Sequence, residues 1–289
     1  VGPSRTVRVR RRRLAAGAVL LLVVIVGVVL AAGSGGTRSH PTRHATALRA
    51  PVPKRPSQSS QAIEREAVAS VLAYTPFIKE GSGRVPDVAL TFDDGPGPYT
   101  PEVLSVLEHF HVRATFFTIG RMERYFSDST RRELRDGDVI GNHTETHPMM
   151  ALLSEHDQRE ELQELAYRVE FLDGSRPVLF RPPYGSFDST TFKLLKQMHL
   201  LMVLWSVDTS DYTQPGIETI VQRALAGAHA GAIILLHDGG GDRSETIAAL
   251  PAIIRGLRAR HLQIVTVPQL LADDPPPTGQ PLPSSLAGD

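Results

Sequence analysis

The sequence contains no cysteine. That absence excludes disulfides, thiolate metal sites, a cysteine nucleophile and a lipid-modified N-terminal cysteine. It also lacks any acidic residue before Glu64, although eleven of its 31 Lys and Arg lie in that stretch. The zero formal net charge therefore hides a basic beginning and an acidic remainder, with 20 basic against 31 acidic residues. An acidic globular part argues against nucleic acid as its partner. Internal repeats are also lacking. What is present is 289 residues with 41% hydrophobic content, enough for one domain with a sizeable core plus appendages.

The basic beginning is organised. Residues 1–13 form a basic segment with Arg8, Arg10, Arg11, Arg12 and Arg13. Residues 14–32 carry no charge and are almost all apolar. At about 1.5 Å per residue, such a helix nearly crosses a hydrocarbon core of about 30 Å. The arginines predict a cytoplasmic N-terminus and an extracytoplasmic domain, hence a single-pass protein of the cell membrane. The alternative is a secreted protein whose signal peptide is cut near Ala31, Ala32 and Gly33. Residues 33–61 read as a basic, disordered linker. Residues 62–273 are expected to form the one globular domain, opening on a helix over 62–73. The Pro-, Gly- and Ser-rich residues 274–289 are expected to be a disordered tail.

Within the domain, apolar runs alternate with amphipathic segments. The runs are Val88–Phe92, Ala114–Ile119, Val139–Gly141, Val178–Arg181, Leu201–Ser206, Ala232–His237 and Gln263–Val267. Helical segments are predicted over 101–110, 128–135, 155–172, 189–198, 217–228 and 245–260, with Thr100 as N-cap before Pro101. Alternating βα units imply a parallel sheet covered by helices. Seven runs predict an irregular (β/α) barrel, and ionisable residues cluster at the C-terminal ends of the runs. That end carries the active site in such barrels.

The chemistry lies in five short segments. His143 and His147 are four apart, so a helical turn would face both imidazoles the same way. Two imidazoles and a carboxylate leave an open position on a zinc-like divalent ion. The pair Asp93-Asp94, at the end of a strand, offers one carboxylate as ligand and the other as general base. Arg181 precedes Pro182-Pro183; it can orient Asp93 through a bidentate pair, and the prolines can aim the Tyr184 amide as an oxyanion donor. His237 closes a strand and suits a general acid at neutral pH, with Asp211 or Asp208 to hold its tautomer.

Together, in this order, Thr91–Gly95, His143–His147, Arg181–Gly185, Trp205–Tyr212 and Leu235–Asp238 resemble the motifs of the polysaccharide deacetylase family, carbohydrate esterase family four. The resemblance spans roughly Val85 to Leu271. It implies an irregular (β/α) barrel, a divalent metal (Zn2+, with Co2+ able to replace it) and removal of acetyl groups from N-acetylated sugars. It implies Asp93 as base, Asp94, His143 and His147 as metal ligands, Arg181 as positioner of the base, and Asp211 as the partner of the acid His237. Tyr184, Trp205, Leu235 and Tyr212 become substrate-groove residues, Tyr212 standing where the family commonly has Trp. The substrate is expected to be an N-acetylglucosamine polymer, peptidoglycan before chitin oligomers or acetylxylan, and the protein is expected to be a monomer. A non-catalytic wall-binding protein is the rival of another class, and it would be expected to lack a ligand or His237; neither is missing.

Overall fold

The computed structural model describes residues 58–279. The expected basic segment, the apolar stretch 14–32, linker residues 33–57 and tail residues 280–289 lie outside the described residues. Among the described residues no helix is long and apolar enough to cross a membrane.

Strand β2 (Asp87–Asp93) is the axis of the fold, and every one of its residues is buried. On one edge it pairs with β8 (Ile233–His237). On the other, its second half pairs with β3 (Thr115–Thr118) and its first half with β9 (Gln263–Val265). The sheet continues from β3 through β4 (Val139–Asn142), β5 (Leu179–Phe180) and β6 (Leu201–Val203) to β1 (Phe77–Ile78), and from β8 to β7 (Val207–Asp208). Every strand pair is parallel. The stretch Leu201–Asp208 leaves β5 and reaches β8, so a single length of chain links the two ends of the row. The sheet curls accordingly, in the manner of an irregular (β/α) barrel.

Helices α1 (Gln58–Leu72), α2 (Thr100–Phe110), α3 (Gly120–Asp136), α4 (Glu155–Asp173), α5 (Ser189–Met198), α6 (Ile217–Gly227), α7 (Ser244–Ala259) and α8 (Val267–Asp273) complete the domain. Strand periodicity decides what faces where. Val88, Leu90 and Phe92 pack outward with Ile234 and Leu236 against residues of α2 and α7, such as Leu104 and Ile253. Ala89 and Ile233 turn the other way, into a second cluster with Phe117, Leu179 and Val203. Thr91 and Asp93 share the face of Ala89, and Leu235 and His237 share the face of Ile233. Two strands thus deliver Asp93 and His237 to the same interior, in register with each other.

The seven expected runs all form strands, and two more bring the sheet to nine. Both additions, β1 and β7, are two residues long, too short to carry a periodic signal. Helix α3 starts eight residues before its expected beginning. Its first half is polar and bends at Phe126 (φ −129°, ψ 26°), which breaks the period. Thr100 is not an N-cap: it lies inside α2, its hydroxyl accepting from the Gly97 amide at 2.7 Å and donating to Asp238 at 2.5 Å. Gln58–Gln61, placed with the linker from sequence, belong to α1. Asp274, placed in the tail, is wholly buried and accepts from the amides of Gly83 (2.6 Å) and Arg84 (3.3 Å) and from the Ser82 hydroxyl. Tyr74 reaches further still, donating to the Pro276 carbonyl at 2.8 Å.

Candidate active site

Asp94 follows β2 in left-handed backbone, with φ 72°. Its Oδ1 lies 3.0 Å from His147 Nε2 and 3.5 Å from His143 Nε2. That buried oxygen nonetheless has no hydrogen-bond partner of acceptable geometry. One carboxylate and two imidazoles thus present lone pairs to a common point, with their ligand atoms within 4.8 Å of one another. Such an orphaned, converging N2O donor set suits a zinc-like divalent cation with a position left open. Burial opposes ionisation of Asp94, but the imidazoles of His143 and His147, with His237 beyond them, outweigh it and hold the carboxyl far below the usual range.

The histidines do not sit on a helix. They belong to the loop after β4, and they converge because Thr144 (φ 70°) and His147 (φ 66°) take left-handed backbone. His143 is fixed further by its Nδ1, 2.8 Å from the Arg181 carbonyl. A carbonyl there requires the proton on Nδ1 and leaves Nε2 free as a ligand. The His147 amide donates to Thr144 Oγ1 at 3.0 Å.

Arg181 is fully buried. Its guanidinium donates to Asp93 Oδ1 (2.7 Å), Thr91 Oγ1 (2.8 Å), the Val203 carbonyl (3.0 Å) and the Leu204 carbonyl (3.1 Å). The pair with Asp93 is therefore single, not bidentate: the remaining fork is spent on the barrel wall. Phe117 covers one side of the guanidinium at 4.1 Å and Trp205 stands 5.7 Å away. Burial lowers the Arg181 pKa, and Asp93 works against it. Asp93 Oδ2 lies 3.8 Å from His143 Nε2, so the candidate base borders the candidate metal position.

His237 faces them from β8. Its Nδ1 is 2.7 Å from Asp211 Oδ1, while its amide donates to Asp211 Oδ2 at 2.9 Å. Asp208, the alternative partner, is exposed and accepts from the Ser210 amide instead. Two hydroxyls absent from the sequence reading complete the acid's support. Thr246 of α7 donates to Asp211 Oδ2 at 2.7 Å, and Thr209 lies 3.2 Å from Oδ1. Burial alone would lower the His237 pKa. Asp211 chiefly, with Asp93 and Asp94, reverses this and pushes it up to about 9. Burial likewise opposes ionisation of Asp211, and the bond to His237 outweighs it, keeping the carboxyl low.

The groove residues line the rim. Tyr184 sits in a short 3-10 turn with φ 57°, its ring edge-on to His147 at 4.6 Å and half exposed. Tyr212 is half exposed and edge-on to His237 at 5.2 Å. Trp205 is half-buried against the inner cluster, and Leu235 is buried two residues before His237. All eleven residues singled out from the sequence thus belong to one end of the barrel or its immediate support. A further acid, Asp238, lies beneath them. Burial raises its pKa to about 7, and its Oδ2 bonds Thr100 under the Asp94–Gly97 turn.

A family model described as polysaccharide deacetylase matches residues 80–203, a span holding Asp93, Asp94, His143, His147, Arg181 and Tyr184 but ending before Asp211 and His237. A Bacillus cereus peptidoglycan-N-acetylglucosamine deacetylase is 40% identical over 195 residues, 64% of this chain and 87% of the relative. The chain belongs to the polysaccharide deacetylase family. A chitooligosaccharide deacetylase of Sinorhizobium fredii is 37% identical, covering 66% of this chain and 94% of the relative. Among solved structures, a peptidoglycan N-acetylglucosamine deacetylase crystallised with an N-oxidanyl-benzamide superposes with a TM-score of 0.67 at 34% identity, over 70% of this chain and 95% of that one. The family is one of metal-dependent hydrolases, and its members' barrel is the fold described above.

Proposed function

We propose that this chain is a Zn2+-dependent N-deacetylase acting on N-acetylglucosamine units of peptidoglycan. One observation carries the reading: the His237–Asp211 pair and the Arg181–Asp93 pair face each other across the Asp94–His143–His147 donor set. A divalent ion held by those three residues supplies Lewis acidity and lowers the pKa of water. The chain's own groups do the rest. Asp93, oriented by Arg181, accepts the proton of the attacking water. The Tyr184 amide donates to the oxygen on which charge develops. His237 holds its Nδ1 proton toward Asp211 and gives the Nε2 proton to the departing amine, releasing acetate and a free glucosamine unit. Its raised pKa keeps it charged at neutral pH. Leu235 and Trp205 wall the acetyl position, and the exposed rings of Tyr184 and Tyr212 offer flat faces to sugar.

The assay is acetate release from peptidoglycan, chitin oligomers and acetylxylan, side by side. Peptidoglycan should be preferred, and muropeptides from cells carrying the protein should lose one acetyl mass on glucosamine in a His237-dependent way. Fast turnover of chitin oligomers with unchanged muropeptides would move the substrate to the class acted on by the Sinorhizobium relative and leave the chemistry standing.

The proposed setting is the outer face of a cell membrane, with residues 14–32 as anchor. The apolar stretch and the preceding arginines support it, and a flexible linker of about 25 residues, 33–57, has a root-mean-square reach of roughly 25–30 Å, enough to serve newly laid polymer. Protease added to intact protoplasts should remove the domain. Complete protection would rule out this placement.

A further inference from the structure

The loop bearing His143 and His147 contains two non-glycine residues in left-handed backbone, Thr144 and His147. Such backbone is unfavourable for a residue with a Cβ and persists only where neighbours over-determine it. The neighbours are identifiable. The Gly120 amide donates to the Thr144 carbonyl (3.0 Å) and the Arg121 amide to the Glu145 carbonyl (2.9 Å), so the start of α3 holds the loop's backbone. Helix α4 holds its side chains. Glu161 accepts from the Thr146 amide at 2.8 Å and from the Thr146 hydroxyl at 2.6 Å. Arg168 makes a two-point pair with Glu145, Nε to Oε2 at 3.0 Å and Nη2 to Oε1 at 2.9 Å. Glu145 is buried at 9% exposure, and it packs so closely on α3 that a methyl group at Gly120 would collide with its Oε2.

The two residues held by α4, Glu145 and Thr146, lie between the two histidines. Their bonds run to α3 and α4, and they fix the path of the chain from one imidazole to the other. We infer that Arg168 and Glu161 of α4 are positioning residues for the metal site, setting its affinity through a double clamp on the His143–His147 loop. The inference rests on the reading of Asp94, His143 and His147 as metal ligands. Supporting groups of this kind typically change metal affinity by about 10–100-fold when removed.

The test is Zn2+ affinity of the full chain, measured by competition with a chromophoric chelator, together with the visible spectrum of the Co2+-loaded protein and the melting temperature without metal. Glu161→Ala, at a partly exposed position, should weaken Zn2+ binding about 10-fold or more and alter the cobalt spectrum. Arg168→Met should do the same, with a loss of stability because the buried Glu145 carboxylate loses its two-point partner and keeps only Arg124, 3.6 Å away. The double variant Arg168→Met/Glu145→Gln also removes the carboxylate that has lost its closest partner. It should recover much of the melting temperature and still bind metal weakly. Wild-type affinity and spectrum in Glu161→Ala and in the double variant would show that the pairs only stabilise the fold, and would overturn the inference. Failure of the unaltered protein to bind Zn2+ or Co2+ would instead overturn the metal-site reading, and the clamp with it.

Discussion

Asp93 and His237 are register partners on adjacent parallel strands, and both side chains point into the barrel. Each is backed by an ion partner from a different direction: Arg181 of the loop after β5 for Asp93, and Asp211 of the turn after β7 for His237. The two proposed proton carriers are thus braced separately, and the two braces can be removed one at a time.

Asp211→Asn removes the partner that offsets burial of His237. The imidazole pKa, held at about 9, should fall, and the alkaline limb of the pH–rate profile should move to lower pH by more than one unit. Turnover at pH 8 should drop by roughly 10²–10⁴. Because the folded pKa lies above the unfolded value of about 6.5, this group's stabilisation is complete below pH 6.5 and is lost as pH rises through 9. Thermal unfolding of the wild type at pH 7 and pH 10 should show that loss, and Asp211→Asn should flatten it. An unmoved alkaline limb would assign the limb to another group.

Metal removal should raise the His237 pKa. Asp93 and Asp94 both push it upward, and a cation held beside them offsets their field. Titration of the His237 ring by NMR should therefore give a lower pKa with Zn2+ bound than after chelation. The opposite order would mean that no cation sits near Asp94.

Asp93→Asn and His143→Ala should separate base from ligand. The first should cost several orders of magnitude in turnover and leave zinc content near wild type. The second should lose zinc and activity together. An Asp93→Asn protein emptied of metal would exchange the roles of the two aspartates.

Glu133 of α3 is wholly buried, and neither carboxylate oxygen has a partner. Burial, with the charges of Asp238, Glu123 and Asp138, pushes its pKa well above the ordinary value. The folded protein therefore binds a proton that the unfolded chain releases near pH 4.5, and this group's contribution to stability falls as pH rises above that value. Glu133→Met should raise the melting temperature, by about 1–3 kcal/mol of stability or a few degrees. The gain should be larger at pH 8.5 than at pH 5. A destabilised Glu133→Met would mean that the carboxyl has a function in the fold that its surroundings do not reveal.

Asp274→Ala should cost about 1–3 kcal/mol, because the Gly83 and Arg84 amides and the Ser82 hydroxyl lose their shared acceptor. Differential scanning calorimetry of the purified domain checks it. An unchanged melting temperature would return Asp274 to the tail in which the sequence reading put it.

The sheet was legible because its central strands β2, β3 and β8 are buried on both faces and read as continuous apolar runs between amphipathic helices. The strands β1 and β7 were not, since two residues have no period. The site was legible where side chains act for themselves, as at Asp93, His143 and His237. It was hidden where they act through others: Thr246 and Arg168 sit on helices with ordinary composition and become meaningful only once Asp211 and Glu145 are placed beside them. The histidine spacing suggested a helical turn. Left-handed backbone at Thr144 and His147 brings the rings together instead, and no short-range pattern announces a non-glycine residue there.

The central strand β2 takes partners from β3, close behind it in the chain, and from β8 and β9, which come only near the end. As the chain emerges N-terminus first, the strand that carries Asp93 therefore has one edge unpaired until β8 follows it. Pairings so distant in sequence carry a large loop-closure cost and form late. The growing chain can assemble its proposed metal ligands before its proposed acid, because Asp94, His143 and His147 all precede His237. Closure of β8 against β2 is at once the step that hides the exposed edge and the step that completes the proton-transfer machinery, so a chain released early exposes an adhesive strand and lacks the acid.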